Sequence, residues 1–146
     1  MAWKKGRGKL GPMVPLIGTW ETTAESPMGP VRCSRSFRLV LGGKYVEMKV
    51  VWKFRKGGYE ELALFGTDEG VLSFWSYTSD GKRSTGVLTS APDIHMEAVC
   101  FEAEMPAGRA RQVYWPNGAG GFNWAVESKN KKGWNRFVTH HYRSSE

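Results

Sequence analysis

Hydrophobic and polar residues alternate with a period of two along much of this chain. Between Tyr45 and Arg55, Val46, Met48, Val50, Trp52 and Phe54 fall on one face, and Glu47, Lys49, Lys53 and Arg55 on the other. Successive side chains of a strand point to opposite sides, so the pattern predicts a half-buried strand. Residues 31–41 repeat it, with Val31, Cys33, Phe37, Leu39 and Leu41 opposite Arg32, Ser34, Ser36 and Arg38. Arg35 intrudes on the apolar face of that segment. Phe122, Trp124 and Val126 alternate with Asn123 and Glu127, and 134–142 alternates less cleanly. Val71 to Tyr77 carries large apolar residues on both faces, which predicts cover on both. Residues 94–104 fit a strand through Ile94, Met96, Ala98 and Cys100. They fit a helix equally well through Ile94, Ala98, Phe101 and Met105. Strand-like neighbours on both sides decide for a strand.

Glycine and proline punctuate these runs at Gly42-Gly43, Gly57-Gly58, Asp68-Glu69-Gly70, Asp80-Gly81, Pro92-Asp93, Pro106-Ala107-Gly108, 117–121 and Lys131-Lys132-Gly133. Breaks about 11–16 residues apart are those of hairpin-linked antiparallel strands. The runs predict about ten strands, at roughly 17–25, 31–41, 45–55, 59–67, 71–79, 82–90, 94–104, 109–116, 121–129 and 133–143. An open sheet of that many strands would leave two edges unpaired. An all-β, antiparallel up-and-down barrel pairs its edges and is wide enough to enclose a cavity.

A length of 146 residues is that of one domain. No apolar stretch approaches the ~20 residues of a membrane helix. The formal charge of +7 is concentrated at the start, where Lys4, Lys5, Arg7 and Lys9 alternate with Gly6, Gly8 and Gly11. Residues 1–14 therefore read as a flexible basic arm ahead of a single barrel domain at 15–146. The arm is an electrostatic candidate for nucleic acid or an acidic partner, though a solubilising role explains it more simply. No apolar run follows Trp3-Lys4-Lys5 as a secretory signal requires, which predicts a cytoplasmic protein. The two cysteines, Cys33 and Cys100, form no metal-binding spacing and read as buried thiols.

Gly18-Thr19-Trp20, at the start of the first strand, resembles the Gly-x-Trp signature of the calycin superfamily, which includes lipocalins and fatty-acid-binding proteins. The resemblance extends to a bacterial family of uncharacterised single-domain calycin-like proteins. It rests on Leu16-Ile17-Gly18-Thr19-Trp20, Leu41-Gly42-Gly43-Lys44-Tyr45, Phe65-Gly66-Thr67-Asp68, Phe74-Trp75-Ser76 and Tyr142-Arg143. Tyr77 stands where that family usually carries an acidic residue, so any role of that carboxylate does not transfer. The resemblance implies a calycin-like barrel with Trp20 packed at a closed end and a last-strand arginine, Arg143 first and Arg136 second, lying against it.

Catalytic signatures are sparse. His140 and His141 are adjacent in a strand, so they point to opposite faces and cannot chelate one metal together. No Gly-x-Ser-x-Gly elbow or phosphate-binding glycine loop occurs. His95 and Glu97 share a face, as an exposed pair would. The sequence specifies no cofactor and no metal. The abundant aromatics carry the positive signal, since aromatic walls with a few polar anchors make ligand pockets. The candidate ligand-binding set is Arg35, Trp52, Phe54, Trp75, Tyr77, Tyr114, Trp124, Arg136 and His140. Arg136 and His140 enter it because they share a face with Trp134 and Val138. The expected function is binding of a small apolar or amphipathic molecule, and an inward arginine favours a carboxylate-bearing one. The alternative is a small barrel enzyme of isomerase or lyase type using inward Arg35, Glu61, Arg136 or His140.

Overall fold

Ten antiparallel strands close on themselves: β1 (Gly18–Ser26), β2 (Gly29–Val40), β3 (Tyr45–Lys53), β4 (Gly58–Asp68), β5 (Val71–Thr78), β6 (Arg83–Thr89), β7 (Val99–Met105), β8 (Gly108–Pro116), β9 (Phe122–Asn130) and β10 (Gly133–Ser144). The computed structural model describes residues 3–105 and 108–145. The predicted turn at Pro106-Ala107 lies outside them. Each strand pairs with its sequence neighbours, and β1 pairs with β10 to complete an up-and-down barrel. Among the described residues no helix is long and apolar enough to cross a membrane.

The inner face is built by alternation. Val46, Met48 and Val50 of β3 are at most 1% exposed, whereas Lys49 and Lys53 stand in solvent. Register then stacks inward residues in layers. Phe37 lies opposite Met48 on β3, and Phe65 lies opposite Val46 on β3 and Phe74 on β5. Phe37, Phe65, Phe74, Phe101, Tyr114 and Phe122 make a continuous run of ring contacts across the lower barrel.

That lower end is closed by a 3-10 helix, Gly11–Leu16, with Pro12 and Pro15 within it. Met13 and Leu16 are fully buried in the core. The helix straddles the boundary drawn at residue 14. Trp20 is 3% exposed, donates its indole N–H to the Leu16 carbonyl at 2.8 Å, and meets Phe122 edge-on at 5.0 Å. Arg143 does not lie against it. Trp20 is paired with Ser144 and Glu21 with Arg143, so Arg143 points outward and bridges the β1–β10 seam to Glu21 at 3.1 Å. Tyr142 and Phe122, stacked at 5.0 Å, occupy the inner position instead.

The strand expected at 94–104 begins only at Val99. Residues before it turn back on themselves, with the amides of Ile94 and His95 both donating to the Ala91 carbonyl. This loop covers a small outer core of Ala91, Ala98, Cys100 and Val113, with Ile94 and Trp115 packed on it. Cys100 therefore faces outward under the loop while Val99 and Phe101 face the barrel interior, and Met96 is 88% exposed. His95 and Glu97 share no strand face: the Glu97 amide donates to His95 Nδ1.

Candidate ligand cavity at the open end

The end opposite the 3-10 helix is open. A cavity of about 680 Å³ enters there, within the size range of small-molecule sites. Its walls come from the β3–β4 loop and from residues of each strand from β3 to β10. Trp52, Phe54, Phe74, Phe101, Trp124 and Val126 supply most of the apolar surface. Polar groups are few: Tyr59, Glu61, Ser84 and Gln112 face the space, and Lys56 stands in the loop between β3 and β4.

Beneath the cavity lies a buried guanidinium. Arg35 occupies an inward position of β2 between Cys33 and Phe37 and is 1% exposed. Its Nε donates to the Tyr142 hydroxyl at 3.3 Å, and its Nη1 donates to the Tyr114 hydroxyl at 2.9 Å and touches Met48 Sδ at 3.5 Å. Its Cζ sits 4.2 Å from the centre of a Trp124 ring, where the π-face favours a cation. Among the described residues no carboxylate is within ion-pair distance of it and none of the hydrogen bonds uses Nη2. The Tyr114 hydroxyl passes the chain on to Gln112 Oε1 at 3.2 Å, which also accepts from Trp124 Nε1 at 3.3 Å. The guanidinium is thus linked to the cavity wall through Tyr114 and Gln112.

Glu61 is the only carboxylate among the described residues that line the cavity. It is inward on β4, opposite Val50 on β3 and Thr78 on β5. Burial pushes its carboxyl above the usual range, and the Arg35 charge and Ser76 hydroxyl oppose that rise. Burial likewise raises the Tyr114 and Tyr142 hydroxyls, so both stay neutral donors and acceptors.

His140 is 5% exposed, its ring 5.1 Å from Trp52 and 5.2 Å from Trp124. Its Nδ1 is buried without a hydrogen-bond partner. Burial, then the charge on Arg35, pushes it down to about 4. The folded protein therefore holds this ring neutral where an unfolded chain, titrating near 6.5, would bind a proton. Stability from this group is present above pH 6.5 and lost as pH falls toward 4. Chemical denaturation at pH 7 and pH 4.5 should show wild type losing about 1–3 kcal/mol more than His140→Phe, which keeps the ring packing. Equal losses would show that the ring is not held neutral.

The nine candidates divide sharply. Trp52, Phe54 and Trp124 line the cavity, and Arg35, Tyr114 and His140 are buried in the layer beneath or beside it. Trp75, Tyr77 and Arg136 are corrected. On β5, Leu72, Phe74 and Ser76 take the inner face, so Trp75 and Tyr77 point outward and Tyr77 is 52% exposed. The outer face of that strand is not covered as its composition predicts. On β10 a bulge between Arg136 and Val138 resets the alternation. Val138 and His140 face inward, but Arg136 faces outward and pairs with Glu127 at 2.9 Å. Sequence reasoning passed over Gln112, Tyr59, Phe74 and Phe101. Gln112 was discoverable, because it shares a strand face with Tyr114.

Cys33 and Cys100 are free, buried and on non-adjacent strands, so the barrel keeps them apart. Burial pushes their thiols up to about 11 and about 12, which suppresses the reactive thiolate.

No family model matches the chain, and no curated protein matches it.

Proposed function

We propose that this protein binds a small amphipathic molecule in the open-end cavity, its apolar body against the aromatic walls and its polar end toward the Arg35 layer. The observation that carries this reading is the cavity of about 680 Å³ with aromatic walls above a buried guanidinium that forms no ion pair among the described residues. A guanidinium in a poorly solvated site favours an anionic head group, so the preferred class is an apolar chain or ring system ending in a carboxylate. We also assign the chain to the calycin superfamily. The closed ten-stranded barrel and the burial of Trp20 of Gly18-x-Trp20 at its closed end support that assignment.

Native mass spectrometry of protein purified from its own host should show a copurified small molecule. Tryptophan quenching should show saturable binding, since Trp52 and Trp124 line the site. Arg35→Gln should weaken binding of an acid by about tenfold or more relative to the corresponding alcohol, through loss of the positive charge beneath the cavity. Equal losses for acid and alcohol would remove the head-group assignment. No copurified mass and no saturable quenching across a panel of fatty acids, alcohols and aromatic acids would remove the cavity-binding reading.

A further inference from the structure

The charge arrangement at the cavity floor has a consequence for how an acid can enter. Arg35 supplies one buried positive charge. Glu61, on the cavity wall, lies within its field without forming an ion pair. A ligand carboxylate placed in the same poorly solvated space would stand beside a second carboxylate, and two like charges there raise the affinity of one of them for a proton.

We infer that acidic ligands bind this cavity together with one proton, which Glu61 takes up, so that the ligand carboxylate replaces Glu61 as the negative charge facing Arg35. This rests on the cavity-binding reading and names its ligand class: an amphipathic carboxylic acid bound as its anion. The proton comes from solvent, and Glu61 passes from carboxylate to carboxylic acid. A neutral amphiphile leaves Glu61 as it was and takes up none.

The surroundings leave Glu61 as the group that responds. The inward residues of β3 beside it, Met48, Val50 and Trp52, do not titrate. On β5, Ser76 offers only a hydroxyl. From β2, Arg35 stays charged, and Cys33 is pushed up to about 11 by burial. Tyr59 on β4, Tyr114 on β8 and Tyr142 on β10 are all raised by burial. His140 on β10 is held down to about 4. Lys56 and Arg111 are the basic residues lining the cavity. Glu61, held above the usual carboxylate range by burial, is therefore the group at the floor that responds to a second carboxylate.

The test uses decanoate and 1-decanol as probes, titrated calorimetrically into the full chain in phosphate and in Tris at matched pH. The difference in binding enthalpy between buffers gives protons taken up. With Glu61 ionised in the free protein, decanoate should take up about one proton and decanol none. Above the midpoint of Glu61, decanoate affinity should fall by up to about tenfold per pH unit. Glu61→Gln should abolish uptake and flatten the profile while still binding both probes. Carboxyl carbon NMR of wild-type Glu61 gives an independent readout should that variant fail to fold: its midpoint should move upward when decanoate is added. Decanoate binding without uptake, uptake unchanged in Glu61→Gln, an unmoved Glu61 midpoint, or binding of decanol alone would each overturn the inference while leaving the cavity a binding site. Failure of both probes to bind would overturn the cavity-binding reading, and this inference with it.

Discussion

Replacing Trp20 by alanine is expected to destabilise the barrel by about 3–5 kcal/mol, the usual cost of emptying a buried indole site. The ring is 3% exposed and holds three things together at the closed end. Its edge meets Phe122 of β9 at 5.0 Å, its N–H holds the Leu16 carbonyl at 2.8 Å, and its backbone pairs with Ser144 in β10. The β1–β10 seam is short: among the described residues Trp20 and Glu21 are its paired positions, and the Ser145 amide also donates to the Thr19 carbonyl. It joins distant parts of the chain, so loop entropy opposes its closure. The exposed Arg143–Glu21 pair at 3.1 Å adds at most about 1 kcal/mol. Closure therefore rests on packing by Trp20 and the 3-10 helix. Trp20→Ala should lower the thermal midpoint by roughly 10 °C or more. Trp20→Phe should recover most of the loss but not the indole hydrogen bond. A Trp20→Ala variant melting with wild type would show that the helix plugs the barrel without it.

The strands were legible where one face met the core and the other met water. β3 is the clearest case, because Glu47, Lys49 and Lys53 alternate with the buried Val46, Met48 and Val50. The reading failed where a second core formed outside the barrel. Cys100 and Phe101 are adjacent and both buried, one under the loop and one in the barrel, so β7 shows no alternation for a period-two argument to find. It failed again on β10, where one bulged position moves every earlier side chain to the opposite face.

The site was only partly legible, for a different reason. Arg35 stood out because a charge on an apolar face demands an explanation. Glu61 enters from sequence only as one of several candidate inward ionisable groups, and Gln112 looks like an ordinary polar strand residue until the barrel closes and brings β4 and β8 around the same space. Trp75 and Trp124 look alike in sequence, and only the parity of their strands sends one to the half-buried outer face and the other to the cavity.

Outside the barrel, Glu127→Ala is expected to cost about 3 kcal/mol, the lower end of what removing one partner of a buried ion pair costs. Arg111 and Glu127 are both outward, yet their side chains are only 4% and 6% exposed, because the 90–98 loop and neighbouring rings cover them. Glu127 Oε1 accepts from Arg111 at 2.7 Å and Oε2 from Arg136 at 2.9 Å, so one carboxylate serves two guanidinium groups. Arg111 also reaches Asp93 of the loop at 2.6 Å and lies 4.3 Å from a Trp134 ring centre, and Arg136 lies over Trp115. The Arg111 hydrogen bond holds the Asp93 carboxyl below its usual range. Without Glu127 the Asp93 contact remains, but Asp93 is half exposed and cannot fill the buried position, which keeps the penalty large but below that of an orphaned charge. The same logic gives the opposite sign for a joint replacement. Arg111→Met with Glu127→Leu removes both buried charges, and should be far less destabilising than Glu127→Ala, near neutral once the loop repacks. Urea denaturation of wild type, the single variant and the double variant decides this. A double variant as unstable as the single one would mean that the ion pair itself, rather than the cover over it, holds the 90–98 loop on the barrel.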